Sequence, residues 1–205
     1  MIEANSASLS LRGLLSGPPV LATCLGAGHL AVGEGVVSLT RPGAARMPNG
    51  IECEITLERG AEIWLGGGAV EVSLWWDPVP RPRVRLEAFP AGPPDVTALA
   101  GRGGGLTPSG DDLLCGYAAG LVLFGGRHAE AAGIAQEAAP RTTRLSATLL
   151  WHAARGELPS PAHTLLADGD PEPLRREPRQ PQNAERRGNQ SQGHEAHGDQ
   201  VSLGE

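Results

Sequence analysis

Asp111 and Asp112 stand side by side at the end of the run Gly101-Arg102-Gly103-Gly104-Gly105-Leu106-Thr107-Pro108-Ser109-Gly110, which combines backbone freedom, hydroxyl groups and one cation. Such a run can handle a small anion. Glycines let the chain turn sharply and bring N–H groups close to a ligand, and the N-terminus of a following helix adds unpaired donors and a partial positive charge. Arg102, Gly103, Gly104, Gly105, Thr107, Ser109 and Gly110 are therefore the expected anion or substrate contacts. The two carboxylates would repel a bare phosphate. They either cap the helix or hold a cation such as Mg²⁺ against an anionic substrate, which makes Asp111 and Asp112 the candidate catalytic and metal-binding residues. The run is not a nucleotide fingerprint, because no Lys-Ser or Lys-Thr follows it and the glycines lack dinucleotide spacing.

A purely structural reading stands beside this one, since glycine turns before capped helices are common. Thr107 or Ser109 can cap, Pro108 suits a first turn, and Ser109 with Asp112 approximates a capping box. Leu113, Leu114, Tyr117, Leu121 and Phe124 then recur at helical spacing until Gly125-Gly126. Small residues at Gly116, Ala118, Ala119 and Gly120 allow close packing on this helix.

Other chemistry-bearing residues are scattered. Arg141 and Arg144 flank Thr142-Thr143 at a helix entrance, where guanidinium groups can meet a carboxylate or phosphate. His152 is the histidine of the helical half suited to general-base work, although a lone helical His is more often structural. Trp75, Trp76 and Trp151 can stack on a planar ligand or fill a core. Cys24, Cys53 and Cys115 are odd in number and unpatterned, which argues against a disulfide framework or zinc site. Cys115 reads as a small core residue rather than a catalytic thiol.

Two kinds of element must position these groups. Val20 to Leu25, His29 to Val32, Val36 to Thr40, Ile51 to Leu57, Glu62 to Leu65 and Ala69 to Trp76 are short, β-branched or alternating, and punctuated by Gly and Pro. From Asp95 the periodicity turns helical, over Asp95 to Ala100, Ser109 to Phe124, His128 to Ala138, Thr142 to Arg155 and Ala162 to Ala167. The expected fold class is α+β: an antiparallel β-rich N-terminal half, sheet or small barrel, then an α-helical half and a disordered tail. The corresponding segments are a β-rich lobe over 1–92, a helical lobe with the glycine loop over 93–170, and a tail over 171–205. The tail is rich in Pro, Gln, Arg, Gly and Glu and cannot bury enough apolar surface to offset its ordering.

A chain of 205 residues with 40% hydrophobic content holds one moderate core or two small ones, and a net charge of -6 disfavours a nucleic-acid partner. It contains no lysine, so any cationic contact must come from Arg, His or a metal. Glu3 stands where a signal peptide would carry basic residues, and no apolar run approaches bilayer length, so a cytoplasmic soluble protein without a membrane partner is expected.

Gly105 to Leu114, read as Gly-Leu-Thr-Pro-Ser-Gly-Asp-Asp and the start of an apolar helix, resembles the signature of the DUF2877 family, which includes the AllH subunit associated with oxamate carbamoyltransferase in allantoin breakdown. Pro48-Asn49-Gly50-Ile51 is similar to the family's strand-leading turn, and Thr142 to Leu150 to its post-signature helix, so the resemblance runs from about residue 20 to about residue 174. It implies carbamoyl transfer among oxalurate, phosphate, oxamate and carbamoyl phosphate, with partner subunits and a small anionic metabolite. It also implies further helices and a Gly-His-Ser/Thr-Ser-Gly type of loop after Leu174. The sequence departs from this with Arg175-Arg176-Glu177-Pro178, as a frameshifted or truncated C-terminus would. Two other functions use the same residues: a non-catalytic assembly or metabolite-sensing component, and a Mg²⁺-dependent phosphoryl-transfer enzyme.

Overall fold

The computed structural model describes residues 1–85 and 92–168, all of which lie in one compact unit, Met1–Arg175. The expected disordered tail over 171–205 falls outside the described residues. The described chain is α+β, as the periodicities predict: a curled mixed sheet comes first and helices follow.

The strands are β1 (Ile2–Ala4), β2 (Ser6–Ser8), β3 (Val20–Gly26), β4 (His29–Val32), β5 (Gly35–Thr40), β6 (Gly50–Glu52), β7 (Glu62–Leu65), β8 (Val70–Val72) and β9 (Trp75–Trp76). Seven of them form one sheet in the order β7-β3-β4-β5-β6-β2-β9, while β1 and β8 pair separately. Local hairpins build its first part. Ala27 and Gly28 both take positive φ between β3 and β4, as a two-residue turn of the mirror-image type requires, and Gly33-Glu34 joins β4 to β5.

The remaining pairings are long-range, and they make the sheet mixed rather than antiparallel throughout. β5 pairs parallel with β6, and β2 inserts between β6 and β9, antiparallel to the first and parallel to the second. Two expected strands are shorter than their apolar patterns. Ile51 to Leu57 pairs only as far as Glu52, and Ala69 to Trp76 splits into β8 and β9 because its two ends join different partners.

The helices are α1 (Arg12–Ser16), α2 (Val96–Leu99), α3 (Ser109–Gly125), α4 (His128–Ala138), α5 (Arg144–Ala153) and α6 (Ser160–Asp168). Asp95 caps α2 by accepting from the Ala98 amide at 3.0 Å, and Thr143 caps α5 by accepting from the Ser146 amide at 3.1 Å. Gly126 ends α3 in the left-handed conformation, with the Gly126 and Arg127 amides returning to Val122 and Leu121.

Two apolar clusters fill the unit. Ala22, Cys24, Leu30, Val37, Ile51 and Leu65 gather beneath the sheet with Leu11 and Leu15, and Leu114, Ala118, Leu121, Ile134, Ala138 and Leu150 gather among the helices. Polar bonds join the two at α5 and α6. The Val36 amide donates to Thr148 Oγ1 at 3.0 Å, and the Arg46 and Ser160 backbones and side chain exchange bonds of 2.9 and 3.0 Å.

Candidate functional site

The glycine run is held from both ends by a buried carboxylate. Asp111, 1% exposed, accepts the Gly101 amide at 2.8 Å on Oδ1 and the Thr142 hydroxyl on Oδ2. Thr143 adds a second strap by donating to the Leu106 carbonyl at 2.7 Å, and Ser146 a longer one at 3.5 Å. The start of α5 thus clamps the loop that leads into α3.

This arrangement corrects the capping expectation. Pro108, not Thr107 or Ser109, occupies the cap position of α3, and no side chain caps it. Backbone groups close the turn instead: the Gly110 amide donates to the Arg102 carbonyl and the Asp111 amide to the Pro108 carbonyl, both at 2.9 Å. Gly110 allows this approach because a Cβ there would collide with the Leu99 carbonyl oxygen. Gly101, at positive φ, lies against the Arg141 carbonyl in the same way.

What the loop presents outward is backbone. Arg102, Gly103, Gly104 and Gly105 are exposed, and the amides of the three glycines donate no hydrogen bond to described residues. Ser109 is exposed at the first helical position, close under Gly103. Amides left unpaired on a pinned frame can receive an anion without reorganisation.

The two aspartates take different parts. Asp112 is exposed as a residue, yet it lines an apolar cavity of about 660 Å³ with Thr107, Cys115, Leu149 and Glu157. Burial against that wall, and then the charge of Asp111, raise its carboxyl above the ordinary value. With both Asp111 oxygens occupied, Asp112 is the carboxylate left to meet a cation, and no group of three or more His, Cys, Asp or Glu is arranged for metal among the described residues. Cys115 is pushed up to about 12 by burial and by the Asp112 and Asp111 charges, so it stays a thiol, as a packing residue does.

Behind the loop, α5 turns a second set of groups toward the β4–β5 turn. Arg144 donates from Nε to the Glu34 carbonyl at 3.2 Å. His152, 6% exposed, bonds through Nδ1 to Glu157, which Arg155 also meets through two nitrogens at 3.1 Å. Burial works to raise the Glu157 carboxyl, but the bonds from His152 and Arg155 and their charge outweigh it and hold it down at about 2. Arg141 is turned back to the Glu137 carbonyl at the end of α4.

The sequence singles out Arg144, Trp151 and His152 separately, and α5 with the turn that follows it brings them together with Thr148 and Arg155. The four-, three- and four-residue spacing from Arg144 to Arg155 carries that face in the sequence, whereas Glu34 and Glu157 have no local signal. Trp75 and Trp76 serve packing. Trp76 is buried with its ring centroid 5.6 Å from that of His163, and Arg12 sits 5.8 Å over Trp75.

Residues 99–197 match the family model of the oxamate carbamoyltransferase subunit AllH, so the resemblance carried by the glycine signature is met, and this part of the chain is similar to a carbamoyltransferase-associated subunit. The matched span begins in α2, omits Pro48-Asn49-Gly50-Ile51 and runs past Leu174, so the comparison does not set the segment after Leu174 apart from the family. No curated protein and no solved structure matches the chain. No helix among the described residues is long and apolar enough to cross a membrane.

Proposed function

We propose, from the match of residues 99–197 to the AllH family model, that this chain is a subunit of a carbamoyltransferase-type assembly and that its loop over residues 101–110 receives a small anionic substrate, carbamoyl phosphate foremost. The supporting observation is the set of unpaired, exposed amides at Gly103, Gly104 and Gly105, beside Arg102, on a loop pinned by Asp111, Thr142 and Thr143. Backbone donors and one guanidinium suit a phosphate, and pinning supplies the orientation that carbamoyl transfer among oxalurate, oxamate and carbamoyl phosphate needs. A Mg²⁺ accompanying the phosphate would meet Asp112.

The loop offers positioning more than reacting groups. Asp111 is consumed in holding the frame and Cys115 is kept protonated, which favours an assembly or metabolite-sensing role in which partner subunits complete the reaction. Calorimetric titration of the full chain with carbamoyl phosphate, with and without Mg²⁺, tests the reading. Binding by the wild type, weakened at least tenfold by Arg102→Ala or Gly104→Ala at unchanged melting temperature, is the expected result. Equal affinity in both variants would remove the loop from the function.

A further inference from the structure

The apolar cavity that Asp112 lines has a volume of about 660 Å³, within the roughly 300–1,000 Å³ of small-molecule sites. Its walls come from α3, α5 and α6, with Ala119, Leu123, Leu149 and Leu165 among them. Along α3 alone the lining runs from Asp112 to Phe124, a length of about 18 Å at the helical rise of ~1.5 Å per residue. An extended alkyl chain can lie along such a wall. The cleft of about 620 Å³ that Arg144, Trp151 and Arg155 line on another face of α5 shares no residue with this cavity.

The polar side chains of the lining are Thr107, Asp112, Cys115 and Glu157. Glu157 already has its charge matched by His152 and Arg155. Cys115 is a neutral thiol. Thr107 and Asp112 flank the start of α3, and neither side chain has a hydrogen bond or ion pair among the described residues. No arginine or histidine lines the cavity among the described residues, and the chain has no lysine. Its one unmatched charge is thus an acid, set against a wall that disfavours the charge.

Charge decides which occupant fits. An anion in this cavity would face Asp112 with no cation to offset it, and a plain hydrocarbon would bury the carboxylate without a partner. Mg²⁺ without a phosphate would find one carboxylate where it needs an octahedral shell of oxygens. We infer that this cavity binds an aliphatic primary amine in its ammonium form, with the chain against the apolar walls and the head on Asp112 and Thr107. An ammonium carries three donors and no acceptor, so the carboxylate and the hydroxyl oxygen both accept from it. The inference uses neither the family match nor the glycine amides.

Octylamine, an ammonium at neutral pH, is the probe, titrated calorimetrically into the purified full chain beside octanol, octanoate and butylamine. The wild type is expected to bind octylamine, with octanol and octanoate each on the order of tenfold weaker or more for want of the charge-assisted bond, and butylamine at least tenfold weaker for want of chain length. Asp112→Asn should bring octylamine down to the affinity of octanol while octanol binds as before, which shows the cavity intact. Gly116 lines the cavity and has open space where a Cβ would stand, so Gly116→Leu puts an isobutyl group into it and should abolish binding of both at an undiminished melting temperature. No octylamine binding by the wild type, or unchanged binding by Gly116→Leu, overturns the site. Equal affinity for octanol and octylamine, or an unchanged Asp112→Asn, overturns the role of the acid. A dimer in sedimentation that octylamine dissociates would put a second copy of the chain in the cavity instead. Arg102→Ala separates this site from the loop: octylamine binding should survive there whether or not carbamoyl phosphate binds, and its loss would overturn the cavity as a separate site.

Discussion

At the scale of single residues, the pair Asp111 and Asp112 divides into a structural member and an available one. Asp111 is buried and accepts two bonds, so Thr142→Val should cost about 1–3 kcal/mol by stranding a buried carboxylate oxygen. Chemical denaturation measures this, and a variant as stable as the wild type would show the strap to be idle. Glu157 gives a pH signature. Its folded carboxyl is held at about 2 against an ordinary 4.5, so the stability it contributes is complete above the ordinary value and is lost as pH falls from there through about 2. Glu157→Gln should therefore show a shallower fall in stability between pH 5 and pH 2, read from melting temperatures across that range; the same slope in both proteins would argue that His152 and Arg155 do not stabilise the anion.

Among the elements, the glycines separate by what surrounds them. Gly110→Ala should prevent the α2–α3 turn from closing, because its Cβ would strike the Leu99 carbonyl, while Gly116→Ala, in open space on α3, should stabilise by about 0.5–1 kcal/mol through helix propensity. Circular dichroism melts distinguish these signs, and a stable Gly110→Ala protein would contradict the close approach. The spacing of Leu113, Leu114, Tyr117 and Leu121 made α3 legible, and the alternation around Ala22 and Cys24 did the same for β3. Arg144 to Arg155 carried the cleft face as a pattern. The insertion of β2 beside β6 and the partnership of Glu34 with Arg144 were not legible, because both join residues far apart in sequence that have no strong local propensity. Capping at Ser109 failed for a local reason: the Asp111 and Asp112 amides that its hydroxyl would serve donate to the Pro108 carbonyl, which places Ser109 inside the helix.

For the molecule as a whole, the sheet and the helical cluster communicate through few polar bonds, and Thr148 carries one of them to the buried Val36 of β5. Thr148→Val keeps the shape of the side chain but leaves the Val36 N–H unpaired. It should lower stability by about 1–3 kcal/mol and reduce the melting temperature by several degrees. Far- and near-ultraviolet dichroism should still melt together if the two clusters unfold as one; separate transitions would show that the bond holds otherwise independent parts.

The straps on the glycine loop also set an order in time. Thr142, Thr143 and Ser146 all follow the loop in the sequence, so a chain emerging from the ribosome exposes residues 101–110 before these three anchors exist. The strapped conformation of the loop cannot be fixed until the start of α5 has been synthesised and has docked. A nascent chain halted before Thr142 would display the same glycines and the same aspartates without the frame that gives them shape.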